Sequence, residues 1–274
     1  MQDVASVEKK LTRRNQSSEK LLSVLETMIE LGQPLRLQDI AQSTNLNPST
    51  ALRFVGALVQ CGYVYQDPQT QRYCTTMKIC VLSNKVQINV HNNVRDLSRS
   101  ILRSLSHMFR EASCISIEQD MQALYTDVQD GPDQILRTTR RIGNIAPLHC
   151  TGVGKLMLTN YSSAELDHYI EVKGLPRFTS QTLCTREALA AELDNIRRRG
   201  YAYDNEECEL GVRCVAVPSR DYTGRVSYCL SVTGPCTRLT DSKIQANLPH
   251  MCDMAYQLSI MLGYSGRRED WPGV

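Results

Sequence analysis

The stretch "APLHCTGVGK", Ala146 to Lys155, carries residue types that could do chemistry, and three chemistries fit its letters. Gly152, Gly154 and Lys155 suggest a phosphate cradle. His149 and Cys150 are metal-ligand types, and the same pair suggests a thiolate beside a base. Each reading sets a spacing requirement. A nucleotide P-loop needs a glycine five residues before the second glycine and Ser or Thr after the lysine. His149 and Leu156 stand there instead, so the cradle fails. Zinc needs three or four convergent ligands. His149, Cys150, Cys208 and Cys214, with some of Asp204, Glu206, Glu207 and Glu209, can supply them, but no spacing motif supports it, and zinc stays a minority reading. A nucleophile needs a base bonded to it. Adjacent residues of an extended chain point oppositely, so Cys214 with His149 is the better pair. The plainer reading of His149 is a hydrogen-bonded structural imidazole next to Pro147. Lys155 is expected to point outward or to pair with a surface acid.

These residues need a frame. The chain has 274 residues, 42% hydrophobic and 22% charged, values of a globular protein long enough for more than one domain. No uncharged apolar run approaches the roughly 20 residues a membrane helix needs. The N-terminus has basic residues but no apolar core of a secretory signal. The 11 cysteines form no C-x-x-C pair. They read as mostly buried thiols of a reducing cytoplasm.

Net charge is only +2, but its distribution is uneven: no acid occurs from Leu46 to Gln66, where Arg53 lies. A surface that meets phosphate is kept free of carboxylates in this way. "SSEKLLSVLETMIELG" is a helix capped by Ser17 or Ser18, with Leu21, Val24, Leu25 and Met28 inward and Gly32 at its end. Leu37, Ile40 and Ala41 mark a second, short helix. Asn47 caps a third with Pro48 at its first position; Ala51, Leu52, Val55, Leu58 and Val59 face inward. "YVYQDPQTQRYCTT" then reads as a hairpin turning at Asp67-Pro68. This order is that of a winged helix-turn-helix, whose second motif helix enters the major groove. Its outward face is Ser49, Thr50, Arg53, Phe54 and Ala57. Arg53 suits guanine or a phosphate, and Ser49 and Thr50 suit phosphate. Phe54 meets a thymine methyl or is half buried, and Arg72 sits in the wing.

From Ile79 to Met108 apolar positions recur without Pro or Gly, as in one long helix or two consecutive ones. Beyond it, "CISIEQ" and "ALYTDVQ" form a hairpin, and "QILRTTR" another strand. Helices begin near Gly152, in "SSAELDHYIEV" and in "REALAAELDNIRRRG". "YAYD" is a strand, and two long strands meet at the Asp221–Gly224 turn. A terminal helix contains Pro249, which demands a kink or break. Strands followed by helices on one side suggest an α/β sensor-like domain with a largely antiparallel sheet.

"PLHCTGVGKLML", "GYAYDNEECELGVRCVAVPSRDYTGRVSYCLSVTGPCTRLT" and the winged helix before them together resemble an IclR-type bacterial transcriptional regulator, from about Ser17 to Tyr264. The resemblance implies a mixed α+β architecture: winged helix-turn-helix, linker helix, and GAF-like effector domain. The expected division is a flexible basic tail at 1–16, the DNA-binding domain at 17–78, the linker at 79–100, the effector domain at 101–264 and a tail at 265–274. It implies effector contacts from Gly152, Val153, Asp204, Cys214, Ser231 and Thr233. Members often carry Ser where Thr233 stands, and a small residue where Cys150 stands. In a strand Ser231 and Thr233 share a face. Asp204 suits a ligand hydroxyl, hydrate or water, and its charge opposes a purely dianionic ligand. The implied partners are palindromic operator DNA, a small carboxylic acid and a second copy, as a dimer or dimer of dimers, with no membrane. No cofactor or catalytic residue is expected. The alternative is a cysteine- or metal-dependent hydrolase carrying an accessory helix-turn-helix.

Overall fold

The computed structural model describes residues 15–132 and 142–268, with backbone alone at 83–93 and 95. The segment "QILRTTR", most of the basic tail and the last six residues lie outside these. The chain divides into two compact units, residues 1–89 and 90–274.

In the first unit, α1 (Gln16–Leu31) is capped by Asn15 rather than by Ser17 or Ser18. The Asn15 side chain accepts from the Ser18 N–H, and the helix ends at Gly32 in a left-handed conformation. The inward stripe buries Val24 and Met28, with Leu21 and Leu25 partly covered. Helices α2 (Leu37–Ser43) and α3 (Pro48–Gln60) follow, Asn47 capping α3 through the Thr50 N–H at 2.8 Å. Strands β1 (Val64–Gln66) and β2 (Tyr73–Thr75) make the antiparallel wing, and Leu35 bridges to Tyr73. Asp67 shapes the turn: its carboxylate accepts from the Gln69 and Thr70 N–H groups at 2.7 and 3.1 Å. Those bonds hold its pKa below the usual range.

One uninterrupted helix, α4 (Lys78–Phe109), spans the region where one or two helices were expected. In the second unit, six strands lie in the order β5-β4-β3-β8-β7-β6, every pair antiparallel. They are β3 (Ala112–Gln119), β4 (Gln122–Gln129), β5 (Ile145–Ala146), β6 (Ala202–Asn205), β7 (Val212–Arg220) and β8 (Val226–Pro235). The hairpin turn of β3 and β4 uses Asp120 and Met121, both at positive φ. That is the backbone hand that matches strand twist.

Each sheet face is covered by helices. One face packs Ile115, Val215, Val217, Leu230 and Val232 against α4 and the terminal helix α8 (Asp241–Met261). The other packs Cys114, Ala202, Ala216 and Cys229 against α5 (Gly152–Leu158), α6 (Ser163–Lys173) and α7 (Arg186–Arg199). The α8 helix runs through Pro249 without a break. Its buried stripe of Ile244, Leu248, Met251, Cys252, Ala255 and Leu258 outweighs the lost backbone bond, which costs about 3 kcal/mol. The cysteines are less buried than expected: five of eleven are buried, four are half-buried, and Cys61 and Cys80 are exposed.

Candidate functional site

Two sites emerge, one in each unit. In the first, the outward face of α3 carries exposed Ser49 and Arg53 and half-buried Thr50. Ser49 donates to the Asn47 side chain at 2.9 Å, so it shares in the cap. Phe54 does not belong to this face: it is buried in the core with Val55 and Leu58, only its ring face meeting the Arg53 guanidinium at 5.1 Å. Leu52 and Val59, expected inward, are 49% and 38% exposed. The true stripe is Ala51, Phe54, Val55 and Leu58, the expected one being rotated around the helix. Both have helical period, and the large aromatic surface takes the core. Arg72 is half-buried, its guanidinium donating to the Pro34 carbonyl at 3.0 Å.

In the second unit the sheet register gathers the other set. Asp204 pairs with Cys214, and Cys214 pairs with Thr233, one row across β6, β7 and β8. Two residues along, Ala216 pairs with Ser231. Alternation puts both rows on one face, and it is the α5 face, because Ala216 belongs to that cluster. Gly152 and Val153 open α5 and are buried there. All six expected effector residues therefore converge on one side of one sheet. Ser231 is 1% exposed and Thr233 2%, so both hydroxyls are buried on that face.

The glycines serve packing. A Cβ on Gly152 would meet the Ala216 Cβ at 3.3 Å, and one on Gly154 would lie 2.3 Å from the Leu148 Cα. Asp204 also holds the β6–β7 loop: its Oδ1 accepts from the Glu207 and Cys208 N–H groups at 2.8 and 3.2 Å. Thr179 and Thr182 hydroxyls donate to the Glu206 and Glu207 carbonyls at 2.6 and 2.7 Å.

Lys155 does not point out. It is 1% exposed, pairs with Glu207 and lies 3.9 Å from Glu192, which Arg199 holds at 2.7 Å. Burial raises the Glu207 pKa, and Lys155 pulls it back. No local sequence signal marks a pair 52 residues apart. Glu207 thus joins the site as a charge partner rather than a metal-ligand type.

His149 is 1% exposed and its ring is engaged. Nε2 donates to the Pro176 carbonyl at 3.0 Å, the Tyr169 hydroxyl lies 3.4 Å from Nδ1, and burial lowers its pKa. Neither nitrogen is left for Cys214. The Cys208 side chain hydrogen-bonded to it, burial, and the nearby Asp204 and Glu207 push the Cys150 thiol far above the ordinary range. That is the opposite of what a thiolate nucleophile requires. Among the described residues no three His, Cys, Asp or Glu side chains gather to hold a metal ion.

A winged helix-turn-helix followed by a helix-covered antiparallel sheet is the architecture of a DNA-binding regulator. The family model "Bacterial transcriptional regulator IclR C-terminal" matches residues 86–260 and "IclR helix-turn-helix domain" matches 17–68. The chain belongs to the IclR family of bacterial transcriptional regulators. It is 30% identical to the transcriptional regulator XynR of Escherichia coli over 249 residues, covering 91% of this chain and 98% of that one. It is 30% identical to KdgR of the same organism over 259 residues, covering 93% and 96%. The crystal structure of the Thermotoga maritima IclR superposes with a TM-score of 0.59 at 26% identity, covering 92% of this chain and all of that one. XynR and KdgR are both transcriptional regulators, and neither lends support to the hydrolase alternative.

Proposed function

We propose that the chain is a ligand-responsive, cytoplasmic regulator whose C-terminal domain binds a small organic acid that alters its affinity for a palindromic operator as a dimer or dimer of dimers. The observation that carries this reading is the convergence of Gly152, Val153, Asp204, Cys214, Ser231 and Thr233 on the α5 face, with the Ser231 and Thr233 hydroxyls buried. Hydroxyls in an otherwise apolar shell are the kind of polar groups that orient a small ligand. Asp204, in one row with Cys214 and Thr233, accepts from a ligand hydroxyl or water. In this reading a DNA-binding domain at 17–78 is joined by a linker at 79–100, within α4, to an effector domain at 101–264.

On the DNA side Arg53 reads guanine or holds a phosphate, and Ser49, Thr50 and Arg72 anchor phosphates. Leu52, exposed one turn before Gly56, takes the thymine-methyl contact that was one of two roles open to Phe54. The test is operator affinity at fixed salt, using a duplex selected from a random pool. Arg53→Ala weakens it by roughly 10- to 100-fold, the loss of one bidentate base contact of about 1–3 kcal/mol, and leaves acid binding intact. Unchanged affinity would overturn the recognition-helix assignment.

A further inference from the structure

A cavity of about 510 Å³ lies in the second unit and shares no residue with the candidate effector set. Its walls are the last turns of α4, with Arg103, Ser106 and His107, the residue just past the helix, Arg110, and the segment leaving β4, with Asp130 and Gly131. Positions 103 and 107 are four residues apart on one helix face, and Arg110 follows the helix end at a positive φ.

The wall is built rather than incidental. The Ser106 hydroxyl donates to the Asp130 carbonyl at 2.8 Å. Gly131 passes so close to the chain that a Cβ there would lie 2.9 Å from the Glu111 carbonyl carbon. Glu111 is 3% exposed and is gripped by Arg238 at 2.6 and 2.9 Å. The two arginines are unspent among the described residues. Arg99, a turn earlier, pairs with Asp127 at 3.3 Å, whereas among the described residues Arg103, His107 and Arg110 make no ion pair or hydrogen bond. Among the described residues Asp130 is the one acid in the lining. Two guanidinium forks facing a cavity match carboxylate or phosphate oxygens bidentately. The volume falls within the roughly 300–1,000 Å³ of small-ligand sites.

We propose that this cavity is a second small-molecule site, taking an oxyanion with at least two acidic groups, one on Arg103 and one on Arg110, and a hydroxyl that donates to Asp130. Citrate and inorganic phosphate are the probes, titrated calorimetrically into the full chain at fixed ionic strength against chloride. Binding of either probe, weakened at least tenfold in the Arg103→Ala/Arg110→Ala double variant and unchanged in Ser231→Ala, supports the site. Tighter citrate assigns carboxylates to the natural ligand, and tighter phosphate assigns phosphoryl groups. Both arginines are exposed and unpaired among the described residues, so the variant should melt with the parent. No binding of either probe overturns the proposal, as does equal binding by the double variant or binding lost in Ser231→Ala. Loss of operator affinity by the double variant with probe binding unchanged also overturns it, and marks the arginines as a DNA-backbone surface.

Discussion

The buried lysine sets the terms at the residue scale. Lys155 and Glu207 leave water together, and removing one partner of such a pair costs about 3–5 kcal/mol because the other charge stays uncompensated. Lys155→Met should lose about that much in urea unfolding, and Lys155→Met/Glu207→Leu should recover most of it. A single variant as stable as the parent would contradict the pair. His149 supplies a pH dependence. Burial holds its folded pKa below the usual 6.5, so the folded chain resists a proton that the unfolded chain accepts. Stability is then full above about pH 6.5 and falls as the pH drops from there toward the folded value. Urea midpoints from pH 8 to 5 should show that decline, and His149→Asn, though weaker throughout, should flatten it. The structural imidazole at 149 was legible beside Pro147. The inward Lys155 was not, because its partner lies 52 residues away and no local periodicity reports it.

Elements account for both the readable and the unreadable parts of the fold. Caps, turns and periodicity located α1, the β3–β4 hairpin and the β7–β8 pair, because each signal is local. Alternation also placed Ser231 and Thr233 on one face, but only the register shows Cys214 opposite Thr233. The rotated stripe of α3 has a different origin: two sets of helical period coexist there, and packing alone chooses Phe54. The glycines of α5 carry the element-scale prediction. In a helix Ala is favoured over Gly by about 1 kcal/mol, yet a Cβ at 154 would lie 2.3 Å from the Leu148 Cα. Gly154→Ala should therefore prevent folding of the second unit or lower its melting temperature steeply, while Gly152→Ala, with a 3.3 Å contact to one side-chain methyl, should cost far less. Equal melting of the two variants would show that the close approach does not constrain the helix.

At the scale of the whole molecule, a net charge of +2 hides a division of labour between an acid-free helix in one unit and a polar sheet face in the other. An effector can change operator affinity only by its differential affinity for two states, typically worth 5- to 150-fold. A ligand at 100 times its dissociation constant also adds about 2.7 kcal/mol of stability, so thermal shifts with a panel of small organic acids identify candidates. Ser231→Ala should lose that shift while keeping operator affinity in the absence of acid. The most direct measurement is the operator dissociation constant of the full chain, by fluorescence anisotropy at fixed salt, with and without an acid found in that screen. A change of fivefold or more, absent in Ser231→Ala, is the result expected of a ligand-responsive regulator with its effector on the α5 face. An operator affinity that no stabilising acid alters, or one altered equally in Ser231→Ala, would contradict it.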